Sequence, residues 1–204
     1  MDDEPIWAAG RKKPPAWSSG PGRSRFSNPW IELVEYDATA PTGHQTHYAV
    51  VRFRSRAVGV LPLHADGTVT LVGQQRFARA NYSWEMPEGG VPFDEDTADG
   101  ARRELREEAG LTARELIQVL EMELSNSVTD EVATCYLALG LEPCAVDPDE
   151  TEAIEIARVP FRDLLAAVIA GQIRDSLTVA TTLRVHHMAR EGELAPDLAR
   201  RVLD

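Results

Sequence analysis

Apolar and polar positions alternate in short runs along the first half of the chain, which predicts strands. Trp30, Leu33, Val34 and Tyr36 mark one run and residues 47–53 a second, with Pro41-Thr42-Gly43 as the turn of a hairpin. Residues 57–63 and 68–75 predict a stronger hairpin, because Ala65-Asp66-Gly67 between them holds an Asp-Gly turn signal. A loop over 76–82 and a short strand over 83–86 lead to Pro87. Further on, residues 115–124 and 131–141 read as strands joined by the polar loop 125–130, and 143–150 as a loop rich in acid and proline. The span 152–159 predicts a strand in which Ile154 and Ile156 alternate with Glu155. A helix over 161–170 ends at Gly171, and another runs from the N-cap Asp175 to Arg190, with Leu177, Ala180, Leu183 and His187 on one stripe. A short helix follows Pro196. Residues 1–27 carry proline, glycine, serine and arginine without an apolar period and predict a disordered arm, with Trp7 and Trp17 as its possible anchors.

One stretch breaks the strand pattern. From Ala98 the content of Ala, Leu, Glu and Arg predicts a helix. Its turn of about 100° per residue gathers Ala98, Ala101, Leu105 and Ala109 on one face and Glu104, Glu107 and Glu108 along the neighbouring edge. Like charges at these spacings repel by about a few tenths of a kcal/mol per pair. Arg103 relieves part of this, and a hard divalent cation, Mg²⁺ or Mn²⁺, is the other remedy. An acidic edge alone reads more readily as a solvated face. Strands with one central helix and helices at the end describe an α+β or α/β/α layered domain.

Composition narrows the classes. The chain has 204 residues and a formal charge of −12, which argues against non-specific binding to nucleic acid or to anionic membranes. No apolar run approaches about 18 residues, and the N-terminus begins acidic, so neither a membrane span nor a signal peptide is expected. Cys135 and Cys144 match no ligand spacing and form no disulfide framework, which makes the cytoplasm the expected setting.

Spacing then adds a resemblance. Gly89, five residues, Glu95, seven residues, and Arg103-Glu104-Leu105-x-Glu107-Glu108-x-Gly110-Leu111 resemble the Nudix box at every position. The resemblance implies a mixed sheet sandwiched between helices, with the box as a loop-helix-loop and an N-terminal antiparallel hairpin or sheet beside it. It also implies hydrolysis of a nucleoside diphosphate linked to another group, with Mg²⁺ (or Mn²⁺) held by Glu104, Glu107, Glu108 and the backbone carbonyl of Glu88. Gly89 and Gly110 would shape the loops, Arg103 would orient the glutamates, and Glu95 would be structural.

Beyond the box, Asn28-Pro29-Trp30, Leu71 to Arg76, Trp84 to Gly89 and the closing helices look like the ADP-ribose pyrophosphatase and nucleotide-sugar hydrolase branch, over residues 28–190. That branch implies a domain over 28–204 and a homodimer in which strands of residues 28–55 reach the partner. Trp30 would stack on the base with Tyr48 behind it, Arg76 would contact the diphosphate or its ribose, and Glu85 would sit near metal or substrate. Catalysis would rest on Glu107, Glu108 and a general base on the loop after the post-box strands. Glu152 aligns best as that base, with Glu150 as the fallback and Glu131 as a further base or substrate contact. The branch usually carries a Ser-Pro-Gly-like loop where this chain reads Ser125-Asn126-Ser127-Val128-Thr129-Asp130-Glu131. Without the proline, GDP-mannose, UDP-glucose and dinucleoside polyphosphates stay open as substrates. Triphosphate or mRNA-cap hydrolysis and a non-catalytic nucleotide-sensing module are further alternatives.

Overall fold

The computed structural model describes residues 5–8, 10–146 and 153–204. Order, expected from Asn28, begins earlier: β1 (Ser18–Ser19) and β2 (Arg23–Ser27) both pair antiparallel with one edge of β3 (Ile31–Thr39). The residues that mimic a disordered composition are used for pairing across strands. Arg23 meets Asp37 at 2.6 Å, Arg25 meets Glu35, and Gly22 passes where a Cβ would lie 2.5 Å from Val34. Trp17 packs edge-on against Tyr48 with ring centroids 5.2 Å apart, whereas Trp7 is exposed. The other edge of β3 carries β4 (Gln45–Phe53), giving the expected first hairpin.

The second hairpin is only a turn. Asp66 caps the turn by accepting from the Thr68 amide, and Gly67 takes a φ of 81°. Beyond the Leu63–Val69 bridge, β5 (Ser55–Pro62) and β6 (Thr68–Arg76) part into different sheets. Both strands are apolar on both faces, so each needs cover on two sides, which a two-stranded hairpin does not provide. β6 pairs with β7 (Asn81–Glu85), and β5 pairs antiparallel with β8 (Glu88–Pro92), which leads into α1 (Thr97–Ala109). After α1, β9 (Leu111–Glu123) and β10 (Val132–Pro143) form a long antiparallel pair, and β10 runs parallel to β5. The result is a mixed sheet ordered β8-β5-β10-β9 beside a smaller sheet ordered β11-β6-β7, where β11 is Glu155–Pro160.

Alternation along β5 and β10 separates two cores. Val58, Val60, Tyr136 and Ala138 pack under Ala101, Leu105 and Ala109 of α1. Leu61, Leu63, Cys135 and Leu137 belong to the opposite core with β6 and the closing helices α2 (Phe161–Ile169), α3 (Ser176–Arg190) and α4 (Pro196–Leu203). This is the α+β layered architecture, with helices on either side of a mixed sheet. The buried face of α3 differs from the expected stripe. Leu177, Thr178, Thr181, Thr182, Val185, Met188 and Ala189 are buried, while Leu183 is exposed. Threonine methyls fill this face, and the Thr178 hydroxyl accepts the Met86 amide at 2.9 Å, so a polar letter stands at a core position. No described helix is long and apolar enough to cross a membrane.

Candidate active site

The site grows from the turn between β8 and α1. Asp96 caps α1 by accepting from the Ala98 amide, and Gly110 ends it in the left-handed region at φ 62°. Between these caps the helix presents its three glutamates, and two of them are not solvated: Glu104 is 9% and Glu108 3% exposed. Arg103 donates to Glu104 at 2.6 Å and to Glu107 at 3.4 Å, reaches the Gly90 carbonyl at 3.0 Å, and lies 3.7 Å from Glu95. Glu108 accepts the Glu88 amide at 2.9 Å, which ties the helix to β8. A Cβ at position 89 would lie 2.2 Å from the Glu104 carboxylate, so the glycine makes room for that group.

Two adjoining cavities open here. One, of about 800 Å³, is lined by Glu104, Glu107, Glu108, Arg103, Arg54 and Trp30. The other, of about 370 Å³, is lined by Arg76, Glu131, Asp175, Arg56 and again Trp30, and the two share Ser55 and Glu88 to Gly90. Trp30 is 72% exposed at their junction, oriented by Asn28, whose side chain accepts the Trp30 and Ile31 amides. The loop over 125–130 fixes the neighbouring wall. Val51 donates to the Val128 carbonyl at 2.9 Å, and Asp130 accepts the Phe53 amide at 2.9 Å.

Arg76 and Glu85 meet as an ion pair, and Arg76 also donates to Glu88 at 2.8 Å. Burial pulls the Arg76 pKa down, but hydrogen bonds and charge from Glu85, with Glu88 and Glu108 behind, raise it overall. Burial pushes the Glu88 carboxyl well above its usual range, aided by Asp175 and Glu85. Glu131 is raised by burial and then by Asp130. Cys135 is pushed up to about 11, chiefly by burial, which makes it a poor nucleophile.

Most expected site residues therefore come together: Glu88, Glu104, Glu107, Glu108, Trp30, Arg76 and Glu131 line the joined cavities, and Glu85 lies just behind. Tyr48 does not join them. It lines a separate groove of about 300 Å³ with Trp17 and Tyr36, because it stands opposite Tyr36 across the N-terminal sheet, and its hydroxyl donates to the Ser127 carbonyl. Glu150 and Glu152 lie outside the described residues. Three charged lining residues, Asp175, Arg54 and Arg56, were not singled out from the sequence. Asp175 was legible only as the N-cap it also is, accepting the Thr178 amide at 2.7 Å, and Arg54 and Arg56 carry no local signal.

The donor set fits a hard divalent cation. It offers carboxylate and carbonyl oxygens only, the Glu104 carboxylate has a cradle that a side chain at position 89 would fill, and Glu88 has a buried oxygen without a described hydrogen-bond partner. Among the described residues the carboxylates converging within 4.8 Å are Glu85, Glu88 and Asp175, whereas Glu104 and Glu107 are bridged by Arg103.

Known proteins resemble this chain in sequence and in fold. A family model described as the NUDIX domain matches residues 53–178. The ADP-ribose pyrophosphatase of Bacillus subtilis (strain 168) is 30% identical over 155 residues, covering 75% of this chain and 83% of that protein. The GDP-mannose pyrophosphatase of Yersinia pestis (strain Pestoides F) is 28% identical over 167 residues, 76% of this chain and 84% of its own. A crystal structure of an ADP compounds hydrolase superposes with a TM-score of 0.78 over 90% of this chain and all of its own, at 19% identity, a likeness of fold. With the box complete from Gly89 to Leu111 and the family model spanning more than half of its length, this chain belongs to the NUDIX domain family.

Proposed function

We propose that this chain is a metal-dependent pyrophosphohydrolase that splits ADP-ribose or a related nucleoside diphosphate sugar into a nucleoside monophosphate and a sugar phosphate. The observation that carries this reading is the pair of joined cavities, one walled by the box glutamates and the other by Arg76 and Glu131, with Trp30 at their junction. A diphosphate linking two bulky groups suits two connected chambers better than one. The relatives named for ADP-ribose and GDP-mannose hydrolysis support the same substrate class.

Glu104, Glu107, Glu108 and the Glu88 carbonyl would hold the cation, with Mg²⁺ favoured and Mn²⁺ the alternative. When bound, such a cation neutralises diphosphate oxygens and acidifies a coordinated water. The chain's own residues supply the rest. Trp30 stacks on the base, Arg76 donates to the diphosphate or ribose, and Arg103 bridges Glu104 and Glu107 and offsets their repulsion when no cation does so. The proton acceptor in this reading is Glu152, which follows the post-box strands in the sequence, with Glu150 next in line and Glu131 as the acid that lines the cavity itself.

We also infer a homodimer formed through the N-terminal strands, where Trp17 and Tyr48 line an open groove. In a partnered arrangement Tyr48 would serve the neighbouring site. A charge of −12 fits a small anionic substrate brought in with its cation better than it fits a nucleic acid, and two free cysteines fit the cytoplasm.

Two substitutions divide the roles. Glu108→Gln removes nearly all metal-dependent turnover with the circular dichroism spectrum kept. Trp30→Ala raises KM for ADP-ribose about 10- to 100-fold, matching the roughly 1–3 kcal/mol of a base–aromatic stack. Turnover unchanged in Glu108→Gln rejects the box as the reaction centre.

A further inference from the structure

In the register of the β6–β7 pair Glu85 stands opposite Val72, and Arg76 opposite Asn81. The Arg76 side chain therefore runs back along the sheet to reach the Glu85 carboxylate, instead of pointing away from the hairpin. Glu85 is 3% exposed, and a carboxylate so placed destabilises the fold unless a cation and hydrogen bonds compensate it. Arg76 does both. Its Nε lies 3.1 and 3.0 Å from the two Glu85 oxygens, and its Nη2 bonds Glu85 Oε2 and, at 2.8 Å, Glu88 Oε1. One edge of the guanidinium is thus fully engaged. Among the described residues Nη1 has no hydrogen bond, while the side chain keeps 39% exposure on the wall of the second cavity with Trp30 and Glu131.

We propose that Glu85 is a positioning residue for substrate binding: by clamping the Nε edge it fixes Arg76 before a ligand arrives and leaves Nη1 free to donate into the cavity. The proposal rests on the reading of that cavity as the nucleotide-sugar site. An arginine free to sample its rotamers loses that freedom on binding, and the loss subtracts from affinity. Clamped by Glu85, Arg76 gives up the same freedom on folding, so binding does not bear it. Glu88 shares the clamp, but its amide also holds Glu108, so changing it would mix effects at the box. Glu85 separates them, since its side-chain hydrogen-bond partner among the described residues is Arg76.

The rival reading is that Glu85, with Glu88 and Asp175 oxygens within 4.8 Å, ligates a cation. The guanidinium already lies on both Glu85 oxygens, where that cation would have to sit. Steady-state kinetics of the full chain on ADP-ribose, at saturating Mg²⁺ and across a Mg²⁺ titration, decide between them, with wild type, Glu85→Gln, Arg76→Lys and the double variant. Lysine lacks the fork, so Arg76→Lys also breaks the clamp. Glu85→Gln raises KM about tenfold, kcat moves less than about twofold, and the double variant is no worse than Arg76→Lys alone. The Mg²⁺ concentration at half-maximal rate stays at the wild-type value. Glu85→Asp, which keeps the charge but shortens the reach, gives the same KM rise and serves if Glu85→Gln melts early. An unchanged KM, effects that multiply in the double variant, or a shifted Mg²⁺ requirement each overturn the proposal, the last assigning Glu85 to a cation instead. Wild-type protein inactive on every nucleotide sugar would reject the functional reading and the proposal with it; active wild type with an insensitive KM rejects the proposal alone.

Discussion

At position 89 a methyl group would lie 2.2–2.6 Å from the three carboxylate atoms of Glu104, inside any allowed contact. Gly89→Ala therefore has to push Glu104 out of place while α1, whose caps lie at Asp96 and Gly110, stays formed. The expected result is a Mg²⁺ requirement raised at least about tenfold in activity titrations, with helix content unchanged by circular dichroism; an unaltered requirement would separate Gly89 from the cation site. The box residues were legible because their spacing is local: one helix and its two flanking turns fix where Gly89, Arg103 and the glutamates lie. Glu131 and Arg76 were also placed from flanking motifs. Asp175 was not, since a single aspartate reads as a helix cap, and nothing within a few residues reveals that it comes within reach of Glu85 and Glu88 from the far end of the chain.

Helix α3 joins the stability of the closing helices to the wall of the second cavity. Asp175 accepts the Thr178 amide, and Thr178 in turn accepts the Met86 amide, three residues ahead of the box glycine. Asp175→Ala removes the cap and costs about 0.5–2 kcal/mol in urea unfolding, whereas Asp175→Asn, an equally good cap, stays within a few tenths. Equal losses in both variants would show that the charge of Asp175, not its capping bond, carries the effect. The same helix shows where periodicity misleads. Three buried threonines read as polar, so the apparent stripe shifted to Ala180, Leu183 and His187, though Leu183 is exposed. Strands β5 and β6 were found with nearly correct ends, but their partners were not. An Asp-Gly turn reports that the chain reverses, while the sheet each strand joins depends on β8, β10 and β11 far along the chain.

Across the whole molecule, the N-terminal sheet is where composition said least. Residues 18–27 hold Phe26 as their one large apolar side chain, and their order comes from Arg23 and Arg25 pairing with Asp37 and Glu35 across strands, a relation that a local window does not contain. That sheet leaves Trp17 and Tyr48 on an open groove, which the proposed homodimer would cover. Sedimentation equilibrium should return twice the 22.5 kDa of one chain, and a single-chain mass at micromolar concentration would contradict the dimer. In the proposed reading, a cation-bound diphosphate and a base stacked on Trp30 occupy neighbouring chambers of the joined cavities. That reading is tested most directly by incubating the protein with Mg²⁺ and ADP-ribose or GDP-mannose and identifying the products by phosphorus NMR. Equimolar nucleoside monophosphate and sugar phosphate, formed only with the cation present, is the predicted result; intact substrate, or turnover confined to nucleoside triphosphates with release of pyrophosphate, would contradict it.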